Sequence, residues 1–206
     1  MSVTIIVKPV ASGKIHLSTF ESLYKPNVGI QRHCTFAEAV KLFTTFALTD
    51  NKNSASMYSG AVYGETFYRC DVNVIAKSVI VIDYDNEVKD VKGDGLKQCS
   101  ENPTHPKDLE DFLVGLTYFY HSTHSNTASW PKWRLIIPLD RHVNLVEWPQ
   151  VVNGILNLLG GYDPNIDKSC FQLSRAFFVP SYPKKHAKAA FAGYSNGSEV
   201  ISCSLL

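Results

Sequence analysis

The chain lacks several features that would settle its class at once. It has no C-x-x-C pair, no apolar run long enough to span a membrane, no G-x-x-x-x-G-K-[ST] phosphate loop and almost no net charge, +1 over 206 residues. The five cysteines, Cys34, Cys70, Cys99, Cys170 and Cys203, are scattered and odd in number. That pattern gives no support to a disulfide framework or a zinc ribbon and fits reduced thiols. With no basic segment leading into an apolar stretch at the amino terminus, the expectation is a soluble cytoplasmic protein without membrane contact. The missing phosphate loop excludes a helicase motor of that type. The small net charge hides an uneven distribution. Asp83 to Asp111 is rich in acids, whereas Lys132 to Lys188 carries a basic excess through Lys132, Arg134, Arg141, Arg175, Lys184, Lys185 and Lys188. One domain carries both signs, and its length and apolar content suit a single α/β or α+β core.

The most informative stretch is S-V-I-V-I-D-Y-D-N, Ser78 to Asn86. Val79 to Ile82 form a β-branched run that predicts a strand buried on both faces. Asp83 and Asp85 follow at its end, and strand residues two apart face the same side. Two converging carboxylates repel unless a cation sits between them, and a divalent metal bound by hard oxygens is the usual answer. The plainer alternative is that the two acids close a strand and enter a turn at Asn86.

Around this stretch, Val3 to Val10 predicts a first strand limited by Pro9. Thr35 to Glu38 is a T-x-x-E capping box opening a helix to about Leu48. Met57 to Tyr63 and Phe67 to Ile75 predict a hairpin or two short strands, with Tyr58, Tyr63, Phe67 and Tyr68 as core and sheet aromatics. Glu87 to Pro106 reads as a long surface excursion. Lys107 to Tyr118 has helical spacing through Leu109, Phe112, Leu113 and Leu116, with Asp108, Glu110 and Asp111 suiting its amino terminus. Tyr118 to Ser122 and Trp133 to Leu139 predict two strands joined by a polar loop. His121 and His124 would face opposite ways on a strand, which argues against shared metal ligation. Asn144 to Leu159 predicts a helix stopped by Gly160-Gly161. Ala176 to Val179 predicts a strand, and Phe191 to Leu206 has weak strand character.

Three separated pieces then share an order and spacing. The run I-D-Y-D-N resembles the h-h-D-x-D motif of the archaeo-eukaryotic primase superfamily, the primase-polymerases, and S-T-H at Ser122 to His124 resembles its small-x-His second motif. The continuation W-R-L-I-I-P-L, with D-K-S-C-F-Q-L-S-R-A-F-F-V-P further on, is similar to versions in phage and plasmid replication proteins. In those, an acid about eight residues before an Arg-containing strand supplies a third carboxylate. By that spacing the third acid is Asp167 and the arginine is Arg175, with Asp163 a near competitor and Asp140 a weaker one. The resemblance covers roughly Ser78 to Pro180.

The resemblance implies an α+β fold, an RRM-like palm packed with a small N-terminal α/β unit. It divides the chain into 1–76, a motif-bearing palm at 77–190, and 191–206 as an edge or the start of a linker. It also implies a DNA primase or DNA polymerase performing template-directed nucleotidyl transfer, with single-stranded DNA and (d)NTPs as partners. Asp83, Asp85 and Asp167 would hold two Mg²⁺ or Mn²⁺ ions, and no zinc is expected. Ser122 and His124 would contact the incoming triphosphate, and His124 joins the three acids as a catalytic residue. Arg134 and Arg175 offer forked donors to phosphate oxygens, while Lys132 either assists or is simply solvated. The basic run Lys184, Lys185, His186 and Lys188 would follow template phosphates or be a plain exposed loop. A helicase would have to come from elsewhere in the same replication system. The alternatives are a haloacid-dehalogenase-like phosphatase with Asp83 as nucleophile, a catalytically silent nucleic-acid-binding module, and a metal-dependent nuclease.

Overall fold

The computed structural model describes residues 3–9, 14–88 and 97–205. In chain order the elements are β1 (Val3–Pro9), β2 (Lys14–Phe20), β3 (Gly29–Thr35), α1 (Phe36–Thr44), β4 (Ala47–Leu48), β5 (Met57–Ser59), β6 (Ala61–Tyr63) and β7 (Val74–Tyr84). After these come β8 (Glu87–Val88), β9 (Gln98–Cys99), β10 (Tyr118–Ser122), β11 (Trp133–Asn144), α2 (Trp148–Leu158), β12 (Phe177–Phe178), β13 (Ser181–Tyr182), β14 (Ala192–Ser195) and β15 (Glu199–Leu205). The expected α+β class holds: antiparallel pairing dominates and the helices are few. None of the helices among the described residues is long and apolar enough to cross a membrane.

Strand β11 is the spine of the larger sheet. Along one edge it pairs antiparallel with β7, from Trp133 opposite Tyr84 to Asn144 opposite Ala76, with a register shift between Pro138 and Val143. Along its other edge it pairs first with β10 and then, through Leu139, with β15. β14 closes the β10 side, β6 closes the β7 side, and β1 lies outside β15. Because Val79–Ile82 and Leu135–Ile137 have no polar side chain to solvate, the sheet can be covered on both faces. All seven are buried, in one cluster with Leu17, Phe43 and Tyr58 from the N-terminal part and Leu109, Leu116 and Ile155 from the rest. A second sheet, in the order β12-β5-β2-β3, carries the N-terminal strands.

Several expectations are met at the level of single bonds. The Thr35/Glu38 capping box is present, with Glu38 N–H donating to Thr35 Oγ1 (3.2 Å) and Thr35 N–H to Glu38 Oε2 (2.7 Å). Gly160 and Gly161 both adopt positive φ and end α2. Others are corrected. The first helix stops at Thr44 instead of Leu48, because Ala47–Leu48 pairs with Ser181–Tyr182 as a short parallel ladder. The segment expected as a helix from Lys107 is a 3-10 turn, Pro106–Phe112, that keeps Leu109 and Leu113 inside but leaves Phe112 43% exposed. Helix α2 begins after Asn144, whose side chain instead accepts from the Val146 and Glu147 amides (both 3.0 Å). The last segment, expected as a domain edge or the start of a linker, supplies β14 and β15, and β15 lies between β1 and β11. The large sheet therefore crosses the expected boundary near residue 76 in two places, at β6–β7 and at β1–β15. Val10, at the end of the expected first strand, and residues 89–96 of the expected surface excursion lie outside the described residues.

Candidate active site

At the carboxyl end of β7 the cross-strand register builds a line of polar side chains. His121 stands opposite Arg134, and Arg134 opposite Asp83, so the three share one face of β10, β11 and β7. All three are buried. Arg134 Nε lies 3.2 Å from Asp83 Oδ1, its Nη1 donates to the Phe178 carbonyl (3.1 Å), and its guanidinium stands 5.1 Å from the Phe177 ring. His121 Nε2 is 3.0 Å from the Tyr58 hydroxyl and its Nδ1 is 2.9 Å from the Ser122 carbonyl. A carbonyl can only accept, so Nδ1 carries the proton and Nε2 accepts from Tyr58. Burial, with Arg134 beside it, holds His121 neutral and lowers its pKa to about 3. Burial raises the Asp83 pKa, Arg134 opposes that, and the negative charges of Asp85 and Asp167 add to it.

Asp167 reaches this point from far along the chain. Its amide donates to the Asp83 carbonyl (2.9 Å), and the preceding Ile166 forms a bridge with Tyr84, so the segment extends the free edge of β7. Asp167 also caps the 3-10 turn Lys168–Phe171, accepting from Ser169 N–H (3.0 Å) and Ser169 Oγ–H (2.6 Å). Its carboxylate is 3.6 Å from Arg175 Nη2. Asp163 is engaged elsewhere, with the Thr104 hydroxyl (2.5 Å) and the Asn165 amide (2.8 Å). Asp140 is exposed on β11 within the register shift. Of the competing acids, only Asp167 is brought beside the D-x-D pair.

Asp85 lies at the rim. Lys132 Nζ stands 3.5 Å from Asp85 and 3.6 Å from Glu87, and 4.3 Å from the Trp130 ring. Trp130 Nε1 in turn donates to the Asp85 carbonyl (2.9 Å). The backbone is turned here by Asn86, which has φ +49° and is fully buried. Its side chain donates to the Thr104 and Pro131 carbonyls and accepts from the Thr104 amide, while its own amide and carbonyl pair with Asn165 and Ser100. A left-handed conformation suits asparagine, and these bonds fix it.

Two of the residues expected to contact the nucleotide, Ser122 and Arg134, have partners inside the protein. Ser122 is buried and its hydroxyl accepts from the Phe191 amide (3.0 Å), so it joins β10 to the segment leading into β14 instead of facing solvent. Arg134 is directed at Asp83 and Phe178, which makes it an internal counter-ion and not a free phosphate ligand. His124 is half-buried and its Nε2 is 2.9 Å from the Thr49 carbonyl, which ties the second motif to the loop after β4. Arg175 lies two residues before β12, beside Asp167.

Sequence reading missed three residues here. Glu87 is the second carboxylate on Lys132. Asn126 accepts from the Lys132 amide and donates to the Ala189 carbonyl (2.6 Å), joining the loop after β10 to the basic turn Lys184–Ala189. Lys52, in the turn Lys52–Ser54, is half-buried within electrostatic reach of Asp83, Asp85, Arg134 and Lys132. No periodicity marks it, because it belongs to a three-residue turn.

The donor set of Asp83, Asp85 and Asp167 is of the hard oxygen kind that Mg²⁺ or Mn²⁺ takes, and the hydrogen bond from the Asp167 amide to the Asp83 carbonyl brings the two segments together. As placed, each carboxylate meets a cationic side chain, and among the described residues no three His, Cys, Asp or Glu side chains converge on one point suited to a metal.

Residues 60–196 match the family model of the VapE N-terminal domain. Among solved structures, the chain is similar to the AEP domain of the primase-polymerase of cyanophage S-2L, with 12% identity, a TM-score of 0.43, and coverage of 86% of this chain and 79% of that one. None of the curated proteins compared matches.

Proposed function

Since the chain belongs to the VapE N-terminal domain family, we propose that it is the catalytic core of a DNA primase-polymerase serving phage or plasmid replication. In this reading it adds nucleotides to a growing strand on a single-stranded template. The observation that carries the reading is the hydrogen bond donated by the Asp167 amide to the Asp83 carbonyl (2.9 Å), which supports Asp167 as the third acid of the set.

In this reading Asp83, Asp85 and Asp167 hold two divalent cations. When bound, such ions lower the pKa of an attacking hydroxyl and stabilise the leaving pyrophosphate. The side chains divide the remaining work. Arg134 stays charged and buried and fixes Asp83 on the sheet face. Lys132 and Arg175, now on Asp85 and Asp167, are released to phosphate oxygens when the carboxylates turn to cations. His124 holds the loop after β4 against the site through Thr49 and presents its remaining ring nitrogen to the nucleotide. The turn Lys184–Ala189 supplies salt-sensitive contacts to the template backbone.

A phosphatase with Asp83 as nucleophile fits less well, because that carboxylate is 4% exposed and held by Arg134. One observation favours a silent binding module: each acid already has a cationic partner. The deciding experiment supplies single-stranded template, labelled nucleotides and Mg²⁺ or Mn²⁺, with and without a primer. Incorporation by the wild type, lost by at least 100-fold in Asp85→Asn and in Asp167→Asn while template binding stays within twofold, is the expected result. Metal-independent template binding with no incorporation would establish the silent module. A labelled primer that shortens would establish a nuclease.

A further inference from the structure

The cations nearest the three acids are mostly committed. Arg134 is bound to Asp83 and the Phe178 carbonyl, Lys132 is shared by Asp85 and Glu87, and Arg175 meets Asp167. Lys52 is different. Among the described residues it has no ion-pair partner, and its ammonium lies 5.3 Å from the centroid of the Phe178 ring. Burial disfavours its charge, the neighbouring Arg134 adds to that, and Asp83 and Asp85 only partly compensate. A half-buried ammonium beside other cations, with an aromatic ring and no carboxylate as its partner among the described residues, is a site built to receive an anion.

The turn that carries Lys52 is held firmly. Asn51 caps it through Asn53 N–H (3.1 Å), and Ser54 Oγ donates to the Asn51 carbonyl (2.7 Å). The Thr49 amide donates to the Tyr182 carbonyl (3.1 Å), Asp50 accepts from the Lys184 amide (3.1 Å), and Thr49 is the residue whose carbonyl His124 meets. The N-terminal part thus delivers one long, flexible cation to the acidic site from a fixed base. A monophosphate seated at the three acids would lie inside the reach of Lys132 and Arg175. The outer phosphates of a triphosphate would extend beyond it and need a further positive group.

We propose that Lys52 is a polyphosphate-binding residue, contacting the β- or γ-phosphate of a nucleoside triphosphate held at Asp83, Asp85 and Asp167. This rests on the nucleotidyl-transfer reading given above. It makes Lys52 a determinant of triphosphate over monophosphate and assigns the N-terminal part a direct role in the reaction.

The test compares wild type, Lys52→Ala and Lys52→Arg. It measures the affinity of a non-hydrolysable deoxynucleoside triphosphate and of the corresponding monophosphate in Mn²⁺, together with KM and kcat for incorporation and a thermal midpoint for each protein. Expected for Lys52→Ala are a loss of at least tenfold in triphosphate affinity, a matching rise in KM, monophosphate affinity within twofold, and an unchanged midpoint. Lys52→Arg should recover most of the loss. Unchanged triphosphate affinity and KM in Lys52→Ala, beside an active wild type, would overturn the role of Lys52 and leave the functional reading intact. Equal losses for triphosphate and monophosphate, or a loss that tracks a lowered midpoint and is not restored by arginine, would overturn it as well. A wild type that neither binds triphosphate nor incorporates would overturn both.

Discussion

Asp83 and Asp85 are two residues apart on one strand end and have opposite circumstances. Asp83 is packed under the sheet face with Arg134, His121 and Tyr58 in a sealed polar line. Asp85, with its carboxylate 37% exposed, meets Lys132 at 3.5 Å across the rim. The buried pair has paid its desolvation cost, so losing either partner strands a charge inside the protein. The rim pair is screened and changes partners at little cost. In the proposed reaction the buried carboxylate would hold the geometry and the rim carboxylate would exchange partners.

The comparison can be broken most severely at Arg134. Arg134→Met should lower stability by about 3–5 kcal/mol, because Asp83 is left unpaired at 4% exposure. The double variant Asp83→Asn/Arg134→Met should recover a large part, and urea denaturation of both proteins measures the difference. For the same reason Asp83→Ala is a poor probe of catalysis, since it confounds folding with chemistry.

Acid sharpens the contrast from another side. His121 has a folded pKa near 3 against about 6.5 in the unfolded chain, so below pH 6.5 the unfolded state binds the extra proton. The stability it contributes is complete above pH 6.5 and drains away as pH falls toward 3. Denaturation midpoints taken from pH 7.5 to pH 5 should fall by ~2 kcal/mol from this group, and the slope should flatten in His121→Gln. The smallest effect is expected at the rim. Lys132→Ala should change stability by about 1 kcal/mol in the same assay, since Asp85 is 37% exposed and keeps its hydration while only Glu87, at 17%, loses a largely buried partner.

Much of this architecture was legible from residue order. The β-branched run named β7 and its burial, the T-x-x-E box named the start of α1, and paired glycines named the end of α2. The same-side geometry expected of the D-x-D acids holds only while a strand continues, and β7 ends at Tyr84, so Asp83 is the last acid on the sheet and Asp85 lies beyond it. What stayed hidden depends on pairing between distant strands. That Arg134 would meet Asp83 and not a phosphate follows from the β7–β11 register, which no local pattern encodes. Ser122 looked available because a hydroxyl at a strand end is usually solvated, and here the segment before β14 covers it. Lys107 to Tyr118 has the spacing of an α-helix, but a 3-10 turn also buries residues three and four apart. Lys52 carries no signal at all, since the role proposed for it depends on what the fold sets around it.

The indole rings turn this arrangement into an optical instrument. Trp133 is sealed behind the site, stacked on Tyr84 with centroids 4.4 Å apart, whereas Trp130 lies at the rim with the Lys132 ammonium 4.3 Å from its ring centre. An ammonium that departs alters the emission of the outer fluorophore and leaves the inner one as a constant reference. The cation binding proposed at the acids would therefore be followed with unlabelled protein, by the colour of its own light.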